Sequence, residues 1–138
     1  MAERDFENWY ESAKAFFIAY EAVFSAGELK NAAFQLHQVV ERTYAAILLT
    51  FTQYKPRTHD IEKLGKLVIE QDHRFIPIFP RQDPFQNRCF LLLKRAYVEA
   101  RYDANYRIEK EELEYLCGRV EKLLEVAREV CEGKIGEW

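Results

Sequence analysis

The sequence predicts an all-α protein, built as an antiparallel up-down bundle of about five helices. Apolar residues recur at spacings of three and four along most of its 138 residues. Glycine and proline separate these periodic segments, and no segment shows the strict alternation that is typical of a strand. A chain of this length suits one domain, so we expect residues 1–138 to form a single helical domain around one core.

Two long helices are predicted in the first third of the chain. The first is an aromatic stripe that stops before Gly27 and consists of Phe6, Trp9, Tyr10, Ala13, Phe16, Phe17, Tyr20 and Phe24. The second runs from Glu28 to about Gln53, and its second half is apolar nearly all round. Such a helix needs neighbours on every side, so we expect it to be central in the bundle or covered by a second subunit.

A third helix is predicted from about His59 to Gln71, after the break at residues 55–57. Thr58 is the expected N-cap, because a hydroxyl at that position accepts a hydrogen bond from the first turn. The next segment, residues 75–84, holds three prolines, and no helix is expected there.

The last two helices are predicted from their start and stop signals. Asp83 followed by Pro84 is typical of an N-cap and first helical residue, and this helix is expected to reach about Tyr102. The final helix is expected from about Glu109 to Glu132, with Gly133 as its end.

Composition limits the classes of protein. No apolar run approaches the ~20 residues of a membrane span, and residues 1–5 are polar and acidic, unlike a signal peptide. We therefore expect a cytoplasmic protein without a membrane segment. The three cysteines, Cys89, Cys117 and Cys131, are far apart and odd in number. They are predicted to be buried thiols, with no zinc site or disulfide framework.

Charge is unevenly distributed along the chain. The net charge is -3, which argues against a general nucleic-acid binder. Residues 54–107 nevertheless hold eleven basic and seven acidic side chains, an excess of four positive charges. This segment is either a local anion-binding surface or an ordinary solvated face.

The first candidate site lies at the junction of the last two predicted helices, around Arg101, Tyr102, Asp103 and Tyr106. An arginine there can grip a phosphate through its planar fork of donors, and a tyrosine can stack on a base. Tyr97, four residues before Arg101, is on the same helical face. The alternative is an arginine that closes the helix C-terminus over a carboxylate and stacks on Tyr97.

The second candidate is a polar stripe within the apolar second helix. His37 and Glu41 are four residues apart and face the same way, beside Gln38 and Arg42. The stripe lacks the second histidine that makes a metal motif specific, so no metal is expected. We interpret it as a hydrogen-bonded pair in which Glu41 orients His37, lining a groove or a subunit interface.

The third candidate is the loop before the third helix, which contains Lys55, Thr58 and His59. Its cations and free backbone N–H groups converge on a helix N-terminus, an arrangement that favours bound anions. A capped loop with no ligand is the alternative.

These three segments together resemble a HEPN domain (higher eukaryotes and prokaryotes nucleotide-binding). The strings are AFQLHQVVERTY at 33–44, KPRTHD at 55–60 and YVEARYDANY at 97–106. The resemblance spans nearly the whole chain. It implies an all-helical bundle that commonly forms a homodimer and often acts with a minimal nucleotidyltransferase.

The chain departs from the ribonuclease toxins that the resemblance also includes. Those use an arginine followed four to six residues later by a histidine, in a site shared by two subunits. Here Arg101 and polar Asp103 are present, Tyr106 stands at the histidine position, and no histidine follows His73. A tyrosine is a poor general acid or base at neutral pH, with an ordinary pKa of about 10.

The resemblance therefore favours the binding branch of the family over toxin–antitoxin ribonucleases. A nucleotide or other phosphate-bearing ligand is expected at Arg101, Tyr97, Tyr102 and Tyr106, with His37, Glu41, Lys55, Thr58 and His59 completing the site. No cofactor is expected. Two alternatives stay open: an RNase toxin with an altered site acting on RNA, and a purely structural dimerisation module.

Overall fold

The computed structural model describes residues 2–137, and within that range the chain is helical with no strand. The all-α prediction is confirmed. The elements are α1 (Ala2–Ser25), α2 (Leu29–Thr52), α3 (Ile61–Gln71), a 3₁₀ helix (His73–Ile78), α4 (Pro84–Arg95), α5 (Glu99–Tyr102) and α6 (Lys110–Gly136). None of the helices in this range is both long and apolar enough to cross a membrane.

Helix α2 is the central element, as its apolar second half predicts. It packs against α1, α3, α4, α5 and α6. Gly27 makes the tight turn into it from α1, with a φ of 79° that favours glycine. Leu36, Val39, Val40 and Ile47 are fully buried. The other helices of the chain thus supply the neighbours that this apolar surface requires.

Two predictions between α2 and α4 were wrong. Thr58 does not cap α3; the carboxylate of Asp60 does, accepting from the N–H groups of Glu62 and Lys63, while Thr58 Oγ1 accepts from the N–H of Asp60. The proline-rich segment does contain a helix, the 3₁₀ helix His73–Ile78. Asp72 caps it, and Pro77 fits because the proline ring fixes a φ that a 3₁₀ helix also uses.

The fourth helix begins as predicted but ends earlier. Asp83 and Gln86 form a capping box, with Pro84 in the first turn. The helix stops at Arg95 because the N–H of Ala96 bonds the Leu93 carbonyl, and the Leu92 carbonyl accepts instead from Tyr106 Oη at 2.7 Å. Residues 99–102 then form the one-turn helix α5.

The last helix and one cysteine also differ from the predictions. Helix α6 continues past Gly133 to Gly136, because Gly133 keeps negative φ and Ile135 packs against the core. Cys89 and Cys131 are buried, whereas Cys117 is only partly buried. Burial raises the pKa of the Cys89 thiol to about 11 and that of Cys131 to about 12.

Candidate functional site

The base of the site is a buried polar trio on α2: His37, Gln38 and Glu41. His37 Nε2 donates to the carbonyl oxygen of His59 at 3.0 Å, and the Gln38 amide nitrogen donates to His37 Nδ1 at 3.3 Å. Burial lowers the pKa of His37 to about 4, against the opposing influence of the Glu41 carboxylate. His37 is therefore a neutral ring that fixes the backbone ahead of α3.

The His59 side chain is held by Glu41. Its Nδ1 donates to Glu41 Oε1 and Oε2, both at 3.0 Å, so the carboxylate fixes the tautomer with the proton on Nδ1. The ring is 54% exposed while the Glu41 side chain is 6% exposed. Within residues 2–137, Nε2 of His59 has no hydrogen-bond partner, and its lone pair is available to solvent or a ligand. The sequence paired Glu41 with His37; in the structure its closer partner is His59.

Tyr97 joins this arrangement to the α4–α5 junction. Its ring stacks on that of His59, with centroids 3.9 Å apart and planes 13° apart. The same ring lies 5.5 Å from that of His37 and 6.1 Å from that of Phe34. The half-buried phenol thus forms the wall between the histidines and α5.

The guanidinium of Arg101 lies over three aromatic rings: Phe34 at 4.6 Å, Tyr97 at 4.9 Å and Tyr102 at 5.0 Å. Its Nε donates to the Tyr97 carbonyl at 2.8 Å. No carboxylate within residues 2–137 forms an ion pair with it. The alternative of an arginine closed over a carboxylate therefore does not describe Arg101, although the predicted contact with Tyr97 is present.

A cleft of ≈ 270 Å³ opens beside His59 and Tyr97. Lys94 and Arg95 line it, together with the side chains of Asp60, Val98 and Glu99. Both cations have carboxylate partners, Lys94 with Glu62 at 2.7 Å and Arg95 with Glu99 at 3.5 Å. The cleft is therefore of mixed charge, and Arg101 is the cation next to it that lacks a carboxylate partner in the described part of the chain.

Two residues predicted for the site have structural contacts instead. Tyr106 is 2% exposed and its hydroxyl is used on the Leu92 carbonyl, so in this conformation the phenol does not reach a ligand. Burial also raises its pKa above the ordinary value, which removes it further from acid–base chemistry near neutrality. Asp103 Oδ1 accepts from the N–H of Asn105 at 2.8 Å and shapes the turn after α5.

Lys55 and Thr58 do not line the cleft beside His59 and have other contacts. Thr58 is occupied by the N–H of Asp60. Lys55 Nζ lies 5.3 Å from the Trp9 ring on α1, the same ring that Arg42 approaches at 5.3 Å. The predicted residues therefore do not form one site. One group surrounds Arg101, and Lys55 lies near Trp9.

Sequence reasoning did not assign a role to two residues here, Phe34 and Arg42, although Arg42 was noted beside the polar stripe. Phe34 supports Arg101, but a single phenylalanine in an apolar helix carries no signal that distinguishes it from core. Arg42 does carry one, a cation beside the polar stripe of an otherwise apolar helix, and its contacts with Trp9 and Phe16 show why it is tolerated there.

The family model of the HEPN domain matches residues 6–130. The chain belongs to the HEPN domain family. No curated protein matches it. The match runs from α1 into α6 and includes every residue of the site. Membership places this HEPN domain in a family of nucleotide-binding and RNase-type modules. Within residues 2–137, no three His, Cys, Asp or Glu side chains are grouped closely enough to hold a metal ion.

Proposed function

We propose that this HEPN domain binds a phosphate-bearing nucleotide at the surface formed by His59, Tyr97, Arg101 and Tyr102. One observation carries the proposal: Arg101 is exposed, held over three rings and by a backbone carbonyl, and has no carboxylate partner within residues 2–137. A guanidinium that is oriented in this way keeps donors free for the oxygens of a phosphate, which it can bind in bidentate fashion.

The surrounding rings supply a place for the base. Tyr102 is 75% exposed and lies against the guanidinium, and the stacked pair of His59 and Tyr97 presents a second aromatic surface. An aromatic side chain and a planar cation both stack on nucleobases with little regard to base identity. The surface therefore supports nucleotide recognition without predicting a preference for one base.

Isothermal titration with ATP, GTP and a short RNA tests this proposal. We expect saturable binding by the wild-type domain and its loss in Arg101→Ala. Arg101→Lys should bind weakly, because lysine keeps the charge but not the bidentate fork. Arg107→Ala, a change at another exposed arginine, is the matched control and should bind normally. Absence of heat with every ligand, or equal losses in Arg101→Ala and Arg107→Ala, contradicts the proposal.

The pair of Glu41 and His59 favours a second candidate function, metal-independent RNA cleavage. A buried carboxylate that fixes the proton on Nδ1 leaves Nε2 of His59 as a base for a ribose 2′-hydroxyl, and Arg101 could neutralise the attacked phosphate. This histidine precedes α3 and does not follow Arg101 as in the ribonuclease toxins. Digestion of total RNA in EDTA, with His59→Ala as the inactive control, decides between binding alone and cleavage.

We further propose that the domain acts as a homodimer with a minimal nucleotidyltransferase partner, as its family resemblance implies. The exposed apolar side chain of Val98, 54% exposed at the edge of the cleft, supports a protein contact beside the site. Light scattering after size exclusion tests the homodimer. A monomeric mass at all concentrations contradicts it.

A further inference from the structure

A second cationic and aromatic cluster lies on the α1–α2 face, outside the nucleotide surface. The Arg42 guanidinium is 5.3 Å from the Trp9 ring and 5.1 Å from the Phe16 ring, and Lys55 Nζ is 5.3 Å from the Trp9 ring. All four side chains are partly exposed. We call this group the Trp9 cluster.

The cations of the Trp9 cluster lack acidic partners within residues 2–137, and Nε of Arg42 is buried without a hydrogen-bond acceptor. Outside this cluster and the Arg101 surface, the arginines found to contact aromatic rings within residues 2–137 have carboxylate partners. Arg88 pairs with Glu112 at 2.7 Å, and Arg81 pairs with Glu62 at 2.7 Å. Two partly exposed cations that lack acidic partners and lie beside aromatic rings are suited to an anion supplied from outside the chain.

The cluster and the Arg101 surface share one face of α2. Phe34, which supports Arg101, and Arg42 are eight residues apart, which at the helical rise is about 12 Å. Gln38 lies between them, four residues from each, and is tied to the buried trio. The two cationic groups thus pack against parts of α2 that lie about two turns apart, which is the arrangement expected for separate phosphates of one strand.

We propose that the Trp9 cluster is a second phosphodiester subsite and that the ligand of this domain is a single-stranded oligonucleotide rather than a mononucleotide. Arg42 and Lys55 take a backbone phosphate, and the Trp9 ring is the face for a base. A single strand fits because its bases are free to stack on aromatic side chains while its phosphates follow the cations. The inference rests on the proposed nucleotide site at Arg101, whose position relative to Arg42 defines the length of the ligand.

Fluorescence anisotropy with labelled oligonucleotides of one, two, four and eight residues tests it. We expect the wild-type domain to bind four residues at least about tenfold more tightly than one. Arg42→Ala should remove this dependence on length and leave mononucleotide affinity as it is. Raising the salt concentration should weaken oligonucleotide binding by the wild type more steeply than binding by Arg42→Ala. The slopes of log binding constant against log salt concentration should differ by about one phosphate contact. RNA and DNA strands of the same sequence show whether the 2′-hydroxyl contributes.

Two further variants protect the test from a folding artefact, because Arg42 is partly buried. Lys55→Ala changes a loop residue and should lower the dependence on length several-fold while the melting temperature is kept. Lys110→Ala is the matched control, since Lys110 Nζ also faces an aromatic ring, that of Phe24 at 5.9 Å, but belongs to α6. It should behave as the wild type.

The outcomes separate the two proposals. Mononucleotide binding without any gain from longer strands overturns the second subsite and leaves the nucleotide site standing. No binding of any length overturns both. An Arg42→Ala variant that keeps the dependence on length but changes the oligomeric state assigns the Trp9 cluster to a protein interface, which also overturns the inference.

Discussion

Glu41 accepts the Nδ1 proton of His59 with both of its carboxylate oxygens, at 3.0 Å each. The carboxylate comes from the middle of the central helix, and the ring comes from the loop that precedes α3. This contact is what turns an otherwise free loop histidine into a group with one defined tautomer and one defined face. It also gives a buried charge its partner, without which burial of Glu41 would be strongly unfavourable.

Removal of the Glu41 carboxylate should therefore allow His59 to change tautomer. In Glu41→Met the apolar side chain keeps much of the volume but offers no acceptor, so we expect neutral His59 to shift toward the form protonated on Nε2. Nitrogen chemical shifts of the imidazole measure this directly. Gln38→Met is the control, because it removes a different neighbour of Glu41. An unchanged tautomer in Glu41→Met contradicts the orienting role.

Tyr97 should contribute to binding through its ring and not its hydroxyl. The ring stacks on that of His59 and lies under the Arg101 guanidinium, and it is tilted against the rings of Phe34 and His37. We expect Tyr97→Phe to bind nucleotide within about twofold of the wild type, and Tyr97→Ala to lose on the order of tenfold or more, in line with the loss of a stacking contact. Titration calorimetry compares the two, and similar affinities for them would show that the ring has no role.

His37 predicts a loss of stability as the pH falls. Burial lowers its pKa from the ordinary 6.5 to about 4 in the folded state. Below pH 6.5 the unfolded chain therefore binds a proton that the folded chain does not bind. The contribution of His37 to the free energy of unfolding is therefore fully present above pH 6.5. It falls by up to about 3 kcal/mol as the pH drops toward about 4.

Urea unfolding of the wild type and of His37→Gln at several pH values measures this effect. The stability advantage of the wild type should shrink between pH 7 and 4.5. His73→Gln, at an exposed histidine of the 3₁₀ helix, should follow the wild-type curve. A constant difference between the wild type and His37→Gln would exclude His37 as the titrating group.

Tyr106 should affect stability and not binding. Its hydroxyl serves the Leu92 carbonyl at the end of α4, so Tyr106→Phe leaves a buried acceptor without a donor. We expect a cost of about 1–3 kcal/mol in the free energy of unfolding and no change in nucleotide affinity. Tyr102→Phe, at a 75% exposed phenol, should be neutral for stability. A loss of nucleotide affinity in Tyr106→Phe without a loss of stability would show that Tyr106 takes part in binding.

The thiols should differ in reactivity according to their burial. Cys89 and Cys131 are fully buried and Cys117 is half-buried. We expect a thiol reagent to modify at most one cysteine of the native protein, Cys117, and all three after unfolding in urea. Mass spectrometry identifies the modified residue, and rapid native labelling of Cys131 would contradict its place in the core.

The helices could be predicted because the spacing of apolar residues indicates which helical face is buried, and glycine, proline and N-cap residues indicate where helices begin and end. Gly27 and the pair Asp83 and Pro84 marked true boundaries. The boundaries that were missed depend on contacts distant in sequence: α4 stops where Tyr106 takes the carbonyl of Leu92, fourteen residues away. The sequence near the end of a helix does not show that a distant side chain will take one of its carbonyl groups.

The sequence proposed most of the residues that the structure brings together, but not their pairing, and their role as a binding site stays a prediction. His37, Glu41, His59, Tyr97 and Arg101 were all identified, yet Glu41 was assigned to the neighbour on its own helix. Spacing of four residues indicates a shared face, whereas the shorter contact is made across 18 positions by His59. Only the packing of α3 against α2 decides which histidine is nearer, and one sequence does not specify that distance.

The two sides of the site differ in how readily they open. Glu41 and His37 are on a 24-residue helix enclosed by the rest of the bundle, whereas Arg101 and Tyr102 are on a helix of four residues. Backbone amides of α2 should exchange with solvent only when the whole domain unfolds, and those of α5 through local opening. A ligand that contacts both sides should then slow amide exchange chiefly in α5, so the exchange rate of that one turn reports whether the site is occupied.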